Sequence, residues 1–222
     1  MQLESDFITY IVEHQVQPDE KLPSLQNISQ EIGISVGKLR EQLEVARTFG
    51  IVSVRPRRGT IRLPYDFTPA VQASLFFGLE TQAATFNQFS QLRRAIETQF
   101  WDEAVQLLTD EDKTVLKEIV SNAWSRLNGT QSHAPNKEHR QFHLKIFSRL
   151  DNPFVQGLLK AYWEAYADSQ ITRLMGYEYW VKVWEYHERI TDTLITNQFD
   201  DGRDLLVEHF DLLPENPSQQ EA

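Results

Sequence analysis

The sequence predicts a mainly α-helical protein in two parts: an N-terminal winged helix-turn-helix (three helices plus a small β-ribbon) and a C-terminal all-helical antiparallel bundle. Three observations carry this expectation. Residues 24–62 hold two helix patterns broken at Gly33-Ile34-Ser35, then two β-like runs joined by the tip Arg55 to Gly59. From Phe86 onward apolar residues recur at three- and four-residue spacing, with neither strand alternation nor an internal repeat. A length of 222 residues with 41% hydrophobic content suits one small and one medium core.

Taken in order, Glu4 to Val16 reads as a first helix with Phe7, Ile8, Ile11 and Val12 as its apolar stripe. Ser24 is placed to cap a short second helix marked by Leu25, Ile28 and Ile32, which Gly33 stops. The third runs from Val36 to Phe49, with Leu39, Leu43 and Ala46 on one face and Gly50 as its stop. Ile51 to Val54 and Thr60 to Leu63 form the ribbon, and Pro64 ends it. The first domain therefore spans residues 1–66, and 67–85 is a linker with some helix of its own.

The bundle covers residues 86–213. Its helices are expected at Phe86 to Leu108, Glu111 to Leu127, Asn136 to Leu150, Pro153 to about Met175, Tyr177 to Asn197 and Asp201 to Leu213. Thr109 with Asp112 makes a capping-box start, Asn128-Gly129 a stop, and Pro153 suits a first helical position. Residues 214–222, rich in Pro, Gln and Glu, are expected to be a disordered tail.

Charge is unevenly spread. The chain carries −10 overall, which argues against a general nucleic-acid binder. Between Lys38 and Arg62, however, seven basic residues stand against two acidic ones, a local +5 on the third helix and the hairpin. A helix fit for a major groove, beside a basic hairpin tip, implies DNA binding. Gln26, at the start of the second helix, is a further candidate contact. The alternative is a solvated charged helix followed by an ordinary hairpin. There is no cysteine, so any metal must be held by nitrogen or oxygen. No apolar run approaches the roughly 20 residues of a membrane span, and a cytoplasmic location without membrane association is expected.

Four of the six histidines are placed to act together. His139 and His143 stand four apart on one helix and share a face. His187 and His209 lie in two later helices among apolar residues. Such a set can complete a four-ligand site in a bundle core, or can be ordinary surface and hydrogen-bonded core histidines. The carboxylates nearest to these histidines in sequence, Glu138, Glu188 and Glu208, point about 100° away on their helices, so none stands out as a general base. The aromatic residues Trp101, Trp124, Trp163, Trp180 and Trp184, with Phe142, Tyr162 and Tyr166, read as core more readily than as a pocket lining.

These residues also carry a resemblance. Leu22-Pro23-Ser24, Gly33-Ile34-Ser35, Leu39-Arg40-Glu41, Gly50-Ile51-Val52 and Arg57-Arg58-Gly59 resemble the DNA-binding domain of the GntR superfamily of bacterial transcriptional regulators. The bundle resembles the ligand-sensing FCD domain of its FadR-type subfamily. Arg93 to Glu97 matches Arg-x-x-Leu-Glu, His139 to His143 matches Asp-x-x-Phe-His, and Asn152-Pro153 matches an Asn-Pro turn. Tyr186 to Ile190 matches Glu-His-x-x-Ile except at the glutamate, and His209 matches a final histidine.

The resemblance implies that Ser35, Lys38 and Arg40 contact DNA and that Arg57, Arg58 and Gly59 form the wing. Val36 and Gly37 depart from the polar residues common there, so operator preference does not carry over. It also implies a divalent metal held by one Asp and three His beneath a pocket for a small organic acid, with Arg93 facing that pocket. Here His139 stands in place of the aspartate. Four neutral imidazoles favour Zn²⁺ or Ni²⁺, and an ion whose charge they leave uncompensated attracts a carboxylate or other anion. The alternative for Arg93 is a surface arginine paired with Glu97.

The sequence thus points to a transcriptional regulator rather than an enzyme. It would act as a homodimer on double-stranded operator DNA, with a helical effector-binding domain; two half-sites multiply the affinity of a small DNA-binding domain. The rival readings are a metal-dependent enzyme built on the bundle and a DNA-binding dimer that senses nothing.

Overall fold

A computed structural model describes residues 4–129, 133–168 and 175–212. Part of the expected polar loop, the last turns expected after Asp168, Leu213 and the tail 214–222 lie outside them. The chain divides into two compact units, Met1–Ser74 and Leu75–Ala222.

The first unit contains α1 (Asp6–Glu13), α2 (Leu25–Ile32), α3 (Val36–Thr48), β1 (Val52–Arg55) and β2 (Gly59–Arg62). Local chemistry sets each boundary. The Ser5, Ser24 and Ser35 hydroxyls accept hydrogen bonds from the backbone N–H three residues on, satisfying donors that a helix start leaves free. Gly33 ends α2 in the left-handed region, at φ +71°, where a Cβ would be strained. Phe7, Tyr10 and Ile11 of α1, Ile28 of α2, Leu39, Leu43 and Ala46 of α3 and Val52 of β1 bury together in one core. Val12 is the exception to the expected stripe: it is 59% exposed, and Tyr10 takes its place inside.

β1 and β2 pair antiparallel in the register Val52↔Arg62 to Arg55↔Gly59. β2 has a second neighbour that the sequence pattern did not reveal. The Leu22 N–H donates to Thr60 O (2.9 Å), Arg62 N–H to Glu20 O (3.0 Å) and Asp19 N–H to Arg62 O (2.9 Å). The ribbon is therefore tied to the segment entering α2.

A 13-residue helix, α4 (Thr68–Glu80), occupies much of the expected linker. The second unit continues with α5 (Phe86–Gln99), α6 (Trp101–Gln106), α7 (Asp110–Leu127), α8 (Asn136–Ile146), α9 (Pro153–Asp168), α10 (Tyr177–Ile195) and α11 (Phe199–Phe210). The single helix expected over 86–108 is broken at Phe100. Trp101 is fully buried there and its indole N–H donates to Phe199 O at 2.8 Å. Gly202 permits this packing, because a Cβ would sit 2.9 Å from Trp101 and 2.6 Å from the Thr193 hydroxyl. α7 opens with the expected capping box. Asn152 caps α9, its Oδ1 accepting from Phe154 and Val155 N–H, with Pro153 at the first position.

Antiparallel neighbours α7–α10, α7–α8 and α10–α11 enclose the main core, which includes Trp101, Phe142, Trp180, Trp184 and Leu206. Among the described residues no helix is long and apolar enough to cross a membrane.

Candidate functional site

On the first unit, Gln26, Ser35, Lys38, Arg40, Arg57 and Arg58 are exposed, and Gly59 is half-buried. Two of them are already engaged within the fold. The Ser35 hydroxyl accepts the Lys38 N–H at 3.3 Å as the α3 cap, and Lys38 Nζ lies 2.8 Å from Asp6 Oδ2 on α1. Gln42 joins them, donating to Asp6 (2.9 Å) and accepting the Phe7 N–H (2.9 Å). The wing tip turns through left-handed backbone at both Arg57 (φ +65°) and Gly59 (φ +82°). Glycine suits the second position, since a Cβ there would lie 3.0 Å from the Lys21 side chain.

In the second unit the four singled-out histidines converge. His139 and His143 come from α8, His187 from α10 and His209 from α11. All are at most 2% exposed, and one nitrogen from each lies within 4.8 Å of the others. His143 Nε2 and His187 Nε2 are 3.2 Å apart. Four nitrogens about 2.0–2.1 Å from one ion stand roughly 3.3 Å apart in a tetrahedron, so the set needs only a modest contraction around a metal.

The chemistry of the donors fits an ion. Both ring nitrogens of His139, and Nδ1 of His187 and of His209, are buried without a hydrogen-bond partner among the described residues. Buried polar atoms are normally paired, and each orphan costs about 1–3 kcal/mol. Burial pushes all four imidazoles well below their ordinary pKa, with Arg93 and, for each of the four except His143, neighbouring histidines acting the same way. The neutral form so favoured is the one that ligates.

Aromatic rings enclose the cluster. The His139 ring centroid is 4.7 Å from Trp163, 5.7 Å from Tyr166, 5.9 Å from Trp180 and 6.4 Å from Trp184. These rings are core and wall at once, because the indole N–H groups of Trp163, Trp180 and Trp184 are buried with no acceptor among the described residues. A surface depression lies elsewhere, between α7 and α8, lined by Asn122, Arg126, Lys137, Glu138 and Gln141 but by none of the four histidines.

Arg93 combines features of both readings of it. It is paired with Glu97, yet neither is on the surface: they are 2% and 0% exposed. Its Nε donates to Glu97 Oε1 at 2.7 Å, its Nη1 to the Tyr162 hydroxyl at 3.4 Å, and Nη2 lies 3.0 Å from both His143 ring nitrogens. The guanidinium also stacks over Trp163, 4.5 Å from the ring centroid. Burial holds the Glu97 carboxyl above the ordinary range, against the lowering effect of Arg93.

Glu97 is the residue beside the cluster that sequence reasoning missed. Its Oε2 stands 2.8 Å from His143 Nδ1, so a carboxylate does lie beside the histidines, contributed by α5 rather than by a sequence neighbour. The i,i+4 spacing of Arg93 and Glu97 was visible, but only the packing of α5 with α9 and α11 turns that pair inward.

An exposed basic helix and wing on one unit, and a histidine-rich buried centre on an all-helical second unit, define a DNA-binding regulator with a separate sensor domain. Residues 88–212 match the FCD domain family, over more than half of the chain. The chain belongs to that family, as a transcriptional regulator of the FadR-type branch of GntR proteins. A relative 26% identical over 184 residues is the uncharacterized HTH-type transcriptional regulator YcbG of Bacillus subtilis (strain 168), covering 81% of this chain and 73% of that protein.

Among solved structures, a GntR protein of Streptococcus agalactiae superposes with a TM-score of 0.66 at 16% identity, covering 92% of this chain and 93% of its own. E. coli McbR/YncC superposes at 0.50 with 17% identity, covering 93% and 90%. These likenesses show a shared fold. The enzyme reading is set aside, since the family and relatives matched are regulators.

Proposed function

We propose that this regulator binds its operator as a homodimer in the cytoplasm, and that a small carboxylate or related anion in the bundle core, beside one Zn²⁺ or Ni²⁺, modulates that binding. The observation that carries the metal is His139, whose two buried nitrogens have no partner among the described residues. His139, His143, His187 and His209 would hold the ion. When bound, it supplies a positive charge and a Lewis-acid anchor for an effector oxygen.

The rest of the site supports an anionic, partly aromatic-walled ligand. Trp163, Trp180 and Trp184 offer three buried N–H donors, and Arg93 offers a guanidinium that a carboxylate can share with or take from Glu97. On the first unit, Gln26, Ser35, Lys38, Arg40, Arg57, Arg58 and Gly59 would meet the duplex, with Lys38 exchanging Asp6 for phosphate. The domain organisation we infer keeps residues 67–85 as the connector, through which ligand binding biases the dimer. A ligand changes DNA affinity only as far as it distinguishes two conformations, typically by about 1–3 kcal/mol.

The test begins with elemental analysis of protein purified without a histidine tag or chelator. About one Zn or Ni per chain is expected. Organic acids are then screened by thermal shift, and those that stabilise are added to mobility-shift assays with fragments of the protein's own upstream DNA. Metal content near zero after reconstitution overturns the metal centre. Salt-sensitive DNA binding that no stabilising acid alters overturns the sensor reading and leaves the DNA-binding dimer.

A further inference from the structure

We infer that Glu97 is the residue that makes a metal ion and a buried arginine compatible in this core. It orients His143 through Nδ1 while neutralising Arg93, a charge that would otherwise face the ion. The inference rests on the four-histidine metal reading and assigns a role to a residue outside the ligand set.

The geometry has two halves. On one side, Glu97 Oε2 stands 2.8 Å from His143 Nδ1; an ionised Glu97 accepts that N–H and leaves the lone pair of Nε2, 3.2 Å from His187 Nε2, for an ion. A carboxylate on the far nitrogen of a ligating histidine raises its basicity and holds its ring. Of the four histidines, His143 is the one whose outer nitrogen meets a carboxylate among the described residues. On the other side, Glu97 Oε1 takes the Arg93 Nε–H at 2.7 Å. Arg93 Nη2 is 3.0 Å from His143 Nε2, so an ion about 2.0–2.1 Å from that nitrogen lies no more than about 5 Å from a guanidinium.

Two cations so close in a water-poor core repel strongly. With four neutral ligands, no ligand charge offsets either. All four ligands, His139 included, are neutral, and the carboxylate beside them, Glu97, lies one layer out. It cancels Arg93 rather than the ion. The site therefore keeps its net +2, and the full attraction for an anionic effector, without a third positive charge.

The experiment measures Zn²⁺ and Co²⁺ affinity by chelator competition, with the Co²⁺ absorption spectrum as the signature of coordination, on wild type, Glu97→Gln and the double variant Arg93→Met/Glu97→Gln. Circular dichroism and metal-free melting confirm folding. Glu97→Gln leaves Arg93 unneutralised and is expected to lose about a hundredfold or more in metal affinity. The double variant removes the facing charge as well and should recover to about tenfold below wild type, the remainder being the lost orientation of His143.

If Glu97→Gln does not fold, the double variant alone decides, because it removes both charges together. Its affinity equal to wild type overturns the orienting role. Folded Glu97→Gln with wild-type affinity overturns the inference entirely, and a double variant no better than Glu97→Gln overturns the charge argument. Wild type that binds no metal instead refutes the metal reading itself.

Discussion

Replacing His139 with leucine should raise the stability of the metal-free protein while abolishing its response to zinc. His139 is 1% exposed, and both of its nitrogens lack a hydrogen-bond partner among the described residues. Removing two such atoms, at the low end of about 1 kcal/mol each, returns about 2 kcal/mol. Leucine is close to histidine in volume but forfeits the edge contacts to Trp163 and Tyr166, worth about 0.5–1.5 kcal/mol. The net gain is about 1 kcal/mol, a rise in Tm of about 2–4 °C for a domain of this size. If the four histidines hold zinc as proposed, zinc at a hundred times its Kd would stabilise wild type by about 2.7 kcal/mol, or about 5–11 °C on the same scale. The two proteins should therefore exchange rank, the variant melting higher in EDTA and wild type melting higher in zinc. Differential scanning calorimetry under both conditions reads this directly. A leucine variant that melts below wild type in EDTA and still shifts with zinc would show that His139 is an ordinary core residue.

Three other outcomes follow from the same structure. Arg40→Ala and Arg57→Ala should each weaken operator binding by about 1–3 kcal/mol if they reach bases, or lower the salt slope by about one if they reach phosphate, with unchanged melting of the free protein; mobility shifts at several salt concentrations distinguish these. The Asp112 carboxyl is held well below the usual range, chiefly by Arg149 and further by Lys145, against the raising effect of burial. Its contribution is therefore complete above an ordinary aspartate pKa of about 3.9 and is lost as pH falls below it, so Asp112→Asn should be less stable at neutral pH and show a shallower loss of Tm between about pH 5 and pH 3. Gly202→Ala places a methyl 2.6 Å from the Thr193 hydroxyl and 2.9 Å from Trp101, and thermal melts should show about 1–3 kcal/mol of destabilisation.

What could be read from the chain is what local chemistry determines. Ser24, Gly33 and Ser35 bound their helices by hydrogen bonds and backbone preference within a few residues, and Leu39, Leu43 and Ala46 mark the buried face of α3 by spacing alone. His139 and His143 announce a shared face for the same reason. Glu97 could not be found this way, because its partner His143 is 46 residues distant and the contact exists only once α5 and α8 are both packed. The break at Phe100 was hidden because the apolar spacing runs through it without a glycine or proline. Asp6 and Lys38, 32 positions apart, meet only through the packing of α1 on α3. Pro18 and Pro23 concealed the pairing of residues 19–22 with β2, since prolines on either side read as a loop.

That pairing bears on how the protein searches DNA. A hairpin wing held by two strands alone would sample many orientations and lose that freedom on each encounter with the duplex. Here the outer strand is braced against the segment leading into α2, and Gly59 lets the Lys21 stem lie across the turn. The arginine-bearing loop is thus spliced to the scaffold that leads into α2, and in the proposed DNA complex it would be offered at a set separation from α3. Binding should then tolerate sequence change at the tip better than insertion, because a longer loop would uncouple the two.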